Sequence, residues 1–201
     1  MESADLDKLK VGKNEEQKKV LDYFLAEGCL ASKMKDDEYL KLVYKKRDSL
    51  NLREKALSKI GLDEDELKEI PPTCIEGFVY QKAWSKQQAN GNWVSTTYEI
   101  AWLFFNATQI YLYKTSFWTD ESKKTESTYE IFYKDVTSVT TKTLYEESKN
   151  KTGSENLEVE SHKFAMSVPG DNIFVAMSGD DSSEATIQAL KQKVREVKNA
   201  I

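Results

Sequence analysis

The stretch LKEIPPTCIEGFVY, residues 67–80, decides the fold, because the spacing of apolar residues changes within it at Pro71 and Pro72. Before the two prolines, apolar residues recur at helical spacing in a background rich in Lys and Glu. After them come aromatic and β-branched runs with alternating polarity, and then one last helical stripe. This order predicts an N-terminal helical segment, residues 1–72, packed on a strand-rich domain, residues 73–201.

Helix start and stop signals divide the N-terminal segment into three or four short helices. Asn14 followed by Gln17 is a variant of the capping box, which predicts the start of a helix. Another helix is predicted over Leu52–Ile60. Further predicted boundaries are Gly28 and Gly61 as stops, Ser32 as a start and Asp63 as the start of a last turn. Helices this short are marginal alone, so we expect them to pack on the sheet.

Most aromatic residues follow the prolines, which is typical of β-sheet. Seven strands are predicted, over residues 75–84, 93–105, 109–119, 126–133, 136–145, 157–168 and 172–178. In the second strand, one face carries Val94, Tyr98, Ile100, Trp102 and Phe104, and the opposite face begins with Ser95, Thr97 and Glu99. This alternation predicts one buried face and one face in water.

Turn residues separate the strands, and a last apolar stripe follows them. Asn90-Gly91 and Pro169-Gly170 are typical of tight turns, so consecutive strands are expected to pair antiparallel. After Gly179 the stripe consists of Ile187, Leu190, Val194, Val197 and Ile201. A stripe this regular is expected to cover an open sheet face. The predicted fold class is α+β, with a seven-stranded antiparallel barrel or sandwich capped by a C-terminal helix and preceded by three to four helices.

Two stretches of the strand-rich domain resemble bacterial pleckstrin-homology-like (PH-like) domains. They are YEIFYKDVTSVTT at residues 129–141 and KFAMSVPGDNIFVAMSGDDSSEATIQALKQKVREV at residues 163–197. The first is similar to a passage between the fourth and fifth strands, and the second to a closing hairpin and helix. ALSKIGLDEDELKEIPP, residues 56–72, is similar to a segment of bacterial proteins with no assigned activity. The resemblance implies the PH-like fold over residues 75–201.

Charge and cysteine content exclude several classes of protein. The net charge of −5 is spread evenly over both segments, which argues against a nucleic-acid binder. Cys29 and Cys74 have no second pair and no CxxC motif, so free, buried thiols are expected instead of a disulfide framework or a zinc site. A signal-peptide pattern and a long apolar run are both missing, and this predicts a cytoplasmic protein.

Residue patterns that support catalysis are missing as well. The single histidine, His162, lies in an alternating strand without a GxSxG or Cys-centred signature, so we interpret it as part of the sheet. The glycines form neither GxGxxG nor GxxxxGK[ST], which argues against nucleotide binding. The sequence therefore predicts a protein that is not an enzyme and uses no cofactor and no metal.

Two binding hypotheses remain for the PH-like domain. In the first, exposed Trp84, Trp93 and Trp118 anchor a protein or peptide partner, and the alternative is that these rings pack back on the sheet. In the second, Lys82 and Lys86 near the first hairpin attach the protein to anionic lipid, as similar residues do in some PH domains. Two lysines on an acidic protein predict only weak membrane contact.

A third hypothesis places the interaction surface on the helices. The protein would then be an accessory part of a larger assembly, presenting Tyr39, Tyr44 or Leu50 to another chain. Docking of the same residues on the sheet is the competing interpretation.

Overall fold

The structure is a computed structural model that describes residues 3–26, 34–61, 71–149, 157–178 and 181–199. Its first four helices are α1 (Ser3–Lys10), α2 (Glu15–Leu25), α3 (Asp36–Ser49) and α4 (Leu52–Ile60). The predicted boundaries at Gly28, Ser32 and Asp63 lie outside the described residues, as do Cys29 and Ile201.

Local signals placed two of these helices correctly. The Asn14 side chain accepts a hydrogen bond from the Gln17 backbone N–H at 2.8 Å, and the Gln17 side chain accepts one from Asn14 N–H at 3.0 Å. The capping box therefore starts α2 as predicted. Helix α4 has the predicted bounds, and Gly61 ends it with φ of 74°. Helix α1 was not predicted, because Leu6 and Leu9 form too short a stripe among charged residues.

The described residues form nine strands, where seven were predicted. They are β1 (Thr73–Val79), β2 (Ser85–Gln87), β3 (Trp93–Ser95), β4 (Thr97–Phe105), β5 (Gln109–Trp118), β6 (Lys124–Phe132), β7 (Ser138–Ser148), β8 (Leu157–Val168) and β9 (Asp171–Met177). All paired strands are antiparallel, as predicted. The sheets have the orders β1-β4-β5-β6, β2-β3 and β7-β8-β9.

The two extra strands have different origins: β2 lies beyond the end of the first predicted strand, residues 75–84, and the second predicted strand, residues 93–105, is divided into β3 and β4. Between β1 and β2 the chain turns at Lys82, whose φ is 58°. Between β3 and β4, Thr96 leaves the pairing: its N–H donates to the Trp84 carbonyl and its carbonyl accepts from Thr119 N–H, at 2.9 and 2.8 Å. These long-range contacts have no signature in the local sequence.

The strands do not close into a barrel, so that part of the prediction is wrong. β1 and β9 approach at Gly77, where an added Cβ atom would lie 2.7 Å from the carbonyl carbon of Met177. Ser178 N–H donates to the Glu76 carbonyl there at 2.8 Å, and no antiparallel or parallel ladder joins these two strands among the described residues. A 3-10 turn, Tyr133–Asp135, separates β6 from β7. The two larger sheets are therefore separate layers.

The C-terminal helix α5 (Asp181–Asn199) packs on the apolar core that these layers share, as the stripe predicted. Ile187, Leu190 and Val194 are buried in one cluster with residues of both sheets, among them Leu103 and Phe164. We call this cluster the sandwich core. The predicted C-terminal cap of the sheet is confirmed.

Both faces of the four-stranded sheet are buried, which corrects the expectation that the face of Ser95, Thr97 and Glu99 lies in water. Tyr98, Ile100 and Phe104 pack against α2, α3 and α4, in a second cluster that we call the wing interface. Leu103 and Phe105, on the other face of the same strand, lie in the sandwich core. The alternation of polar and apolar residues did not predict the burial of both faces, because the helices cover one face of β4 and the second sheet covers the other.

Among the described residues, no helix combines the length and the apolar character that crossing a membrane would require.

Candidate functional site

The main candidate site is a cleft of about 570 Å³ between helix α3, the β2-β3 hairpin, the ends of β1 and β9, and residues 160–162 of β8. Five aromatic side chains line it: Tyr44, Phe78, Tyr80, Trp93 and Tyr98. Its volume lies within the range of roughly 300–1,000 Å³ found for ligand pockets. The cleft exists because the N-terminal helices, the hairpin and both sheets meet at this place.

Hydrogen bonds and ring contacts hold the aromatic wall in position. The Tyr80 hydroxyl donates to the Trp93 carbonyl at 3.1 Å, which ties the β2-β3 hairpin to the end of β1. Tyr80 N–H donates to the buried Glu146 carboxylate at 3.0 Å. Phe78 packs edge-on against Tyr98, with 4.9 Å between ring centroids. A wall held at its backbone and its rings is organised before any ligand arrives.

The Tyr80 hydroxyl remains a neutral group at physiological pH. Burial, assisted by the nearby negative charge of Glu146, raises the pKa of Tyr80 to about 12. The phenol therefore keeps its proton and its hydrogen bond to the hairpin.

The polar side of the cleft comes from β8. The Glu160 carboxylate accepts a hydrogen bond from the Tyr145 hydroxyl at 3.3 Å and lies 3.7 Å from His162 Nε2. His162 Nδ1 lies 3.2 Å from the Thr143 hydroxyl. Glu160 and His162 are exposed; His162 is part of strand β8 as predicted, with its side chain at the surface. No lysine or arginine is found among the described residues that line the cleft.

Four aromatic rings outside the cleft each lie under a lysine of this chain. A lysine ammonium lies within 6 Å of the ring centroid in each case, the distance of a cation–π interaction. The pairs are Lys149 with Trp84, Lys123 with Trp118, Lys134 with Phe132 and Lys142 with Phe174, at 4.6–5.4 Å. Within the described parts of the chain, no such pair involves Phe78, Tyr80 or Trp93.

The structure places the three predicted tryptophans in different surroundings. Trp93 is half-buried and lines the cleft. Trp84 and Trp118 are half-buried outside it, and each lies under a lysine. Of the three, Trp93 alone stands in the cleft, and the prediction that these rings bind a partner stays a prediction.

The two predicted lysines do not form a paired cationic site. Lys82 is exposed, and its backbone N–H donates to the Glu147 carbonyl at 2.9 Å. The Lys86 ammonium lies 4.0 Å from an Asp36 carboxylate oxygen and 4.0 Å from the Tyr23 ring centroid. Lys86 therefore contacts the N-terminal helices.

Sequence reasoning missed most of the cleft. Phe78 and Tyr80 lie within a predicted strand, and their alternating positions were the available signal for a shared face. Glu160 and His162 reach the cleft because β8 pairs with β9, whose end meets β1. A local pattern could not have indicated that meeting.

A second cavity, of about 490 Å³, lies between the turn from α3 to α4 and strand β1. Arg47 pairs there with Glu76, at 2.6 Å from Nη1 to Oε1. Burial raises the pKa of the neighbouring Cys74 thiol to about 12, so this free cysteine is a poor nucleophile at neutral pH. The cavity offers packing space without a reactive group.

The acidic and thiol side chains do not assemble a metal centre in the part of the chain that the structure describes: no three of its His, Cys, Asp and Glu residues are grouped to hold an ion. The described lining of the cleft combines an apolar wall with one carboxylate and a few neutral hydrogen-bonding groups.

Comparison of this chain with protein-family models, with curated proteins and with solved structures found no match in any of the three.

Proposed function

We propose that this protein is a non-enzymatic, PH-like interaction module of a bacterial protein that binds a protein partner through a peptide segment seated in the cleft. The PH-like part of the proposal is supported by the sequence resemblance and by the order of the sheets. A four-stranded sheet comes first, a three-stranded sheet follows, and the C-terminal helix packs on their shared core. The cytoplasmic location in this proposal rests on the sequence.

The observation that carries the binding proposal is the aromatic wall of the cleft. Phe78, Tyr80 and Trp93 come from two neighbouring elements and form one side of a cavity large enough for a few side chains. Aromatic residues in such positions are the usual anchors of protein interfaces. An extended segment fits this place better than a broad protein surface, because the cleft is a concave space of about 570 Å³.

Anionic-lipid binding receives less support from the same structure. The Lys86 ammonium contacts Asp36 and the Tyr23 ring, so Lys82 is the member of the predicted pair that could contact a lipid headgroup. One lysine contributes about 1 kcal/mol near an anionic surface, too little for stable attachment.

The structure also gives less support to an interaction surface on the N-terminal helices. Tyr39 is fully buried and donates to the Ser95 carbonyl at 2.6 Å, so it cannot contact another chain. Tyr44 is exposed but lines the cleft, and Leu50 packs on the wing interface. An assembly surface would therefore overlap with the cleft.

Selection from a random peptide library displayed on phage, with the full chain immobilised, tests the proposal. We expect enrichment of related peptides that lose binding to the Trp93→Ala variant. Trp118→Ala is the matched control, since Trp118 is a half-buried tryptophan outside the cleft. Parallel sedimentation with vesicles of phosphatidylcholine and phosphatidylserine is expected to leave the protein in solution.

Failure to enrich any peptide family, or equal loss in both variants, would contradict peptide binding in the cleft. Sedimentation with the vesicles that persists at physiological salt would favour the lipid alternative instead. Thermal unfolding of each variant establishes that the compared proteins are folded.

A further inference from the structure

The charge distribution around the cleft identifies the chemistry of its ligand. We infer that the cleft receives a positively charged side chain, Arg or Lys, of an extended peptide, between the aromatic wall and Glu160. This inference rests on the proposed function and specifies the partner's chemistry.

Charge complementarity is the first argument. The chain contains 29 lysines and arginines, yet none lines the cleft among the described residues. Glu160 is the one acidic side chain of the described lining, and the protein as a whole carries a net charge of −5 with its histidine counted neutral. A cation is therefore attracted to the cleft both by the nearest carboxylate and by the net charge of the protein.

The uncovered aromatic rings are the second argument. Trp84, Trp118, Phe132 and Phe174 each lie beneath a lysine of this chain. In the cleft, by contrast, none of the described lysines or arginines reaches the faces of Tyr80 and Trp93. The negative face of an indole or phenol ring attracts a cation, and Trp is the strongest partner. The rings left open in the cleft are thus suited to a cation supplied from outside.

An internal example of the same arrangement stands at the edge of the cleft, on the lining residue Tyr44. The Arg47 guanidinium lies 4.9 Å from the Tyr44 ring centroid and forms a 2.6 Å ion pair with Glu76. One guanidinium is held there by a ring and a carboxylate together. The cleft presents the same two kinds of group, Trp93 or Tyr80 and Glu160, without an internal cation between them.

Solvent access makes the site suitable for a charge. Glu160 keeps about half of its side chain exposed, at 51%. A bound ammonium or guanidinium would therefore remain partly hydrated, which avoids the large desolvation cost of a buried ion pair. Arg is the better fit of the two, because its planar group can stack on a ring while its N–H groups contact the carboxylate.

A guest-residue series tests this inference. A short extended host peptide of Gly, Ser and Thr carries Arg, Lys, citrulline, Leu or Glu at its centre. Binding is followed by NMR on protein with ¹⁵N-labelled tryptophan, in which each of the 4 indole N–H groups gives its own signal. We expect the Arg and Lys peptides to shift the Trp93 signal and to bind about 3- to 10-fold more tightly than the citrulline and Leu peptides.

Three variants sharpen the test. Glu160→Gln is expected to remove about half of the preference for Arg over citrulline, since the carboxylate charge is lost while the aromatic wall remains. Asn92→Lys places a cation of the chain itself at the cleft, because Asn92 is an exposed lining residue, and should weaken Arg binding about 3-fold or more. Asn92→Gln, the neutral control, should bind Arg like the parent protein.

The outcomes separate the two proposals. Equal affinity for Arg, citrulline and Leu guests overturns the cation inference, while enrichment of neutral peptides in the phage selection would still support peptide binding. Absence of any shift at Trp93 with the Arg and Lys guests also overturns the inference. If the phage selection fails too, the proposed function fails with it.

Discussion

The two faces of the four-stranded sheet are buried by different chemistry. Among the described residues, the wing interface has 8 aromatic side chains in its 17 buried members, whereas the sandwich core has 3 in 17. The wing interface also contains ion pairs and hydrogen-bonded tyrosines, such as Tyr39 with the Ser95 carbonyl. The sandwich core is therefore held mainly by non-directional burial. The wing interface adds directional polar contacts that fix how the helices dock.

This difference bears on the cleft. Tyr44 and Leu40 of α3 form one of its walls, so the cleft depends on correct docking of the helices. A chain of ring contacts continues from Phe78 through Tyr39 to Tyr23 inside the wing interface. Changes that loosen the polar contacts of this interface should therefore disturb the cleft before they unfold the sheets.

The largest expected effects come from neighbouring residues on opposite faces of β4. Leu103 lies in the sandwich core and Phe104 in the wing interface, and both are fully buried. Leu103→Ala should cost about 2–5 kcal/mol of unfolding free energy and Phe104→Ala about 3–5 kcal/mol, measured by urea denaturation. A loss below about 1 kcal/mol for Phe104→Ala alone would mean that the helices contact the sheet only loosely.

The next largest effect is expected at the junction of β1 with β9. Gly77→Ala places a Cβ atom 2.7 Å from the Met177 backbone, which forces the two sheets apart. We expect a destabilisation of about 1–3 kcal/mol in urea denaturation. Glu121→Ala, an exposed change away from this junction, is the control and should alter stability by less than about 0.5 kcal/mol. Equal stability of Gly77→Ala and the parent protein would contradict the close approach.

A smaller effect is expected from a single hydroxyl of the wing interface. Tyr39→Phe removes the donor to the Ser95 carbonyl and the contact with Thr119 at 3.1 Å, inside a fully buried site. The expected loss is about 1–2 kcal/mol in thermal unfolding. Tyr145→Phe loses an exposed hydroxyl contact and serves as the matched control with little change. Identical effects of both substitutions would show that the buried hydroxyl does not fix the docking.

The ion pairs between α4 and β6 predict that the stability of the protein depends on pH. The hydrogen bond from Lys55, together with Lys124, lowers the pKa of Glu126 to about 2. Because the folded-state pKa lies below the ordinary value near 4.5, the stabilisation is present at neutral pH and is lost as the pH falls from 4.5 towards 2. Glu126→Gln should cost about 1 kcal/mol at pH 7, and the difference from the parent protein should vanish in acid. A difference independent of pH would contradict the ion-pair origin.

The smallest expected effect is a gain in stability, whereas the substitutions above all reduce it. Asp120 is buried beside the wing interface, and burial raises the pKa of its carboxyl above the ordinary value. The charged form is therefore unfavourable in the folded protein. The contribution of Asp120 to the free energy of unfolding is largest below the pKa that this group has in the unfolded chain, and it is lost as the pH rises through the folded-state pKa. Asp120→Asn should gain at most about 1 kcal/mol at pH 7, and the gain should disappear in acid. Thermal unfolding across pH measures it, and destabilisation by Asp120→Asn at pH 7 would contradict the expectation.

Much of the local structure could be predicted from short-range patterns. The capping box at Asn14, the left-handed end at Gly61 and the apolar stripe of α5 each involve residues within a few positions of one another. The candidate site was far less predictable. Trp93 was identified as an aromatic residue of the hairpin, but its partners Tyr80 and Glu160 belong to elements that meet only after folding.

The sequence by itself determined the order and type of the elements: helices before Pro71, antiparallel strands after it, and a final amphipathic helix. It did so because helix caps and hydrophobic periodicity act between residues close in the chain. Tertiary structure alone decided that both faces of β4 are buried, that the strands stay in separate sheets and that Lys86 pairs with the helices. These outcomes depend on contacts between residues far apart in the chain, and alternation along a strand does not specify what covers each face.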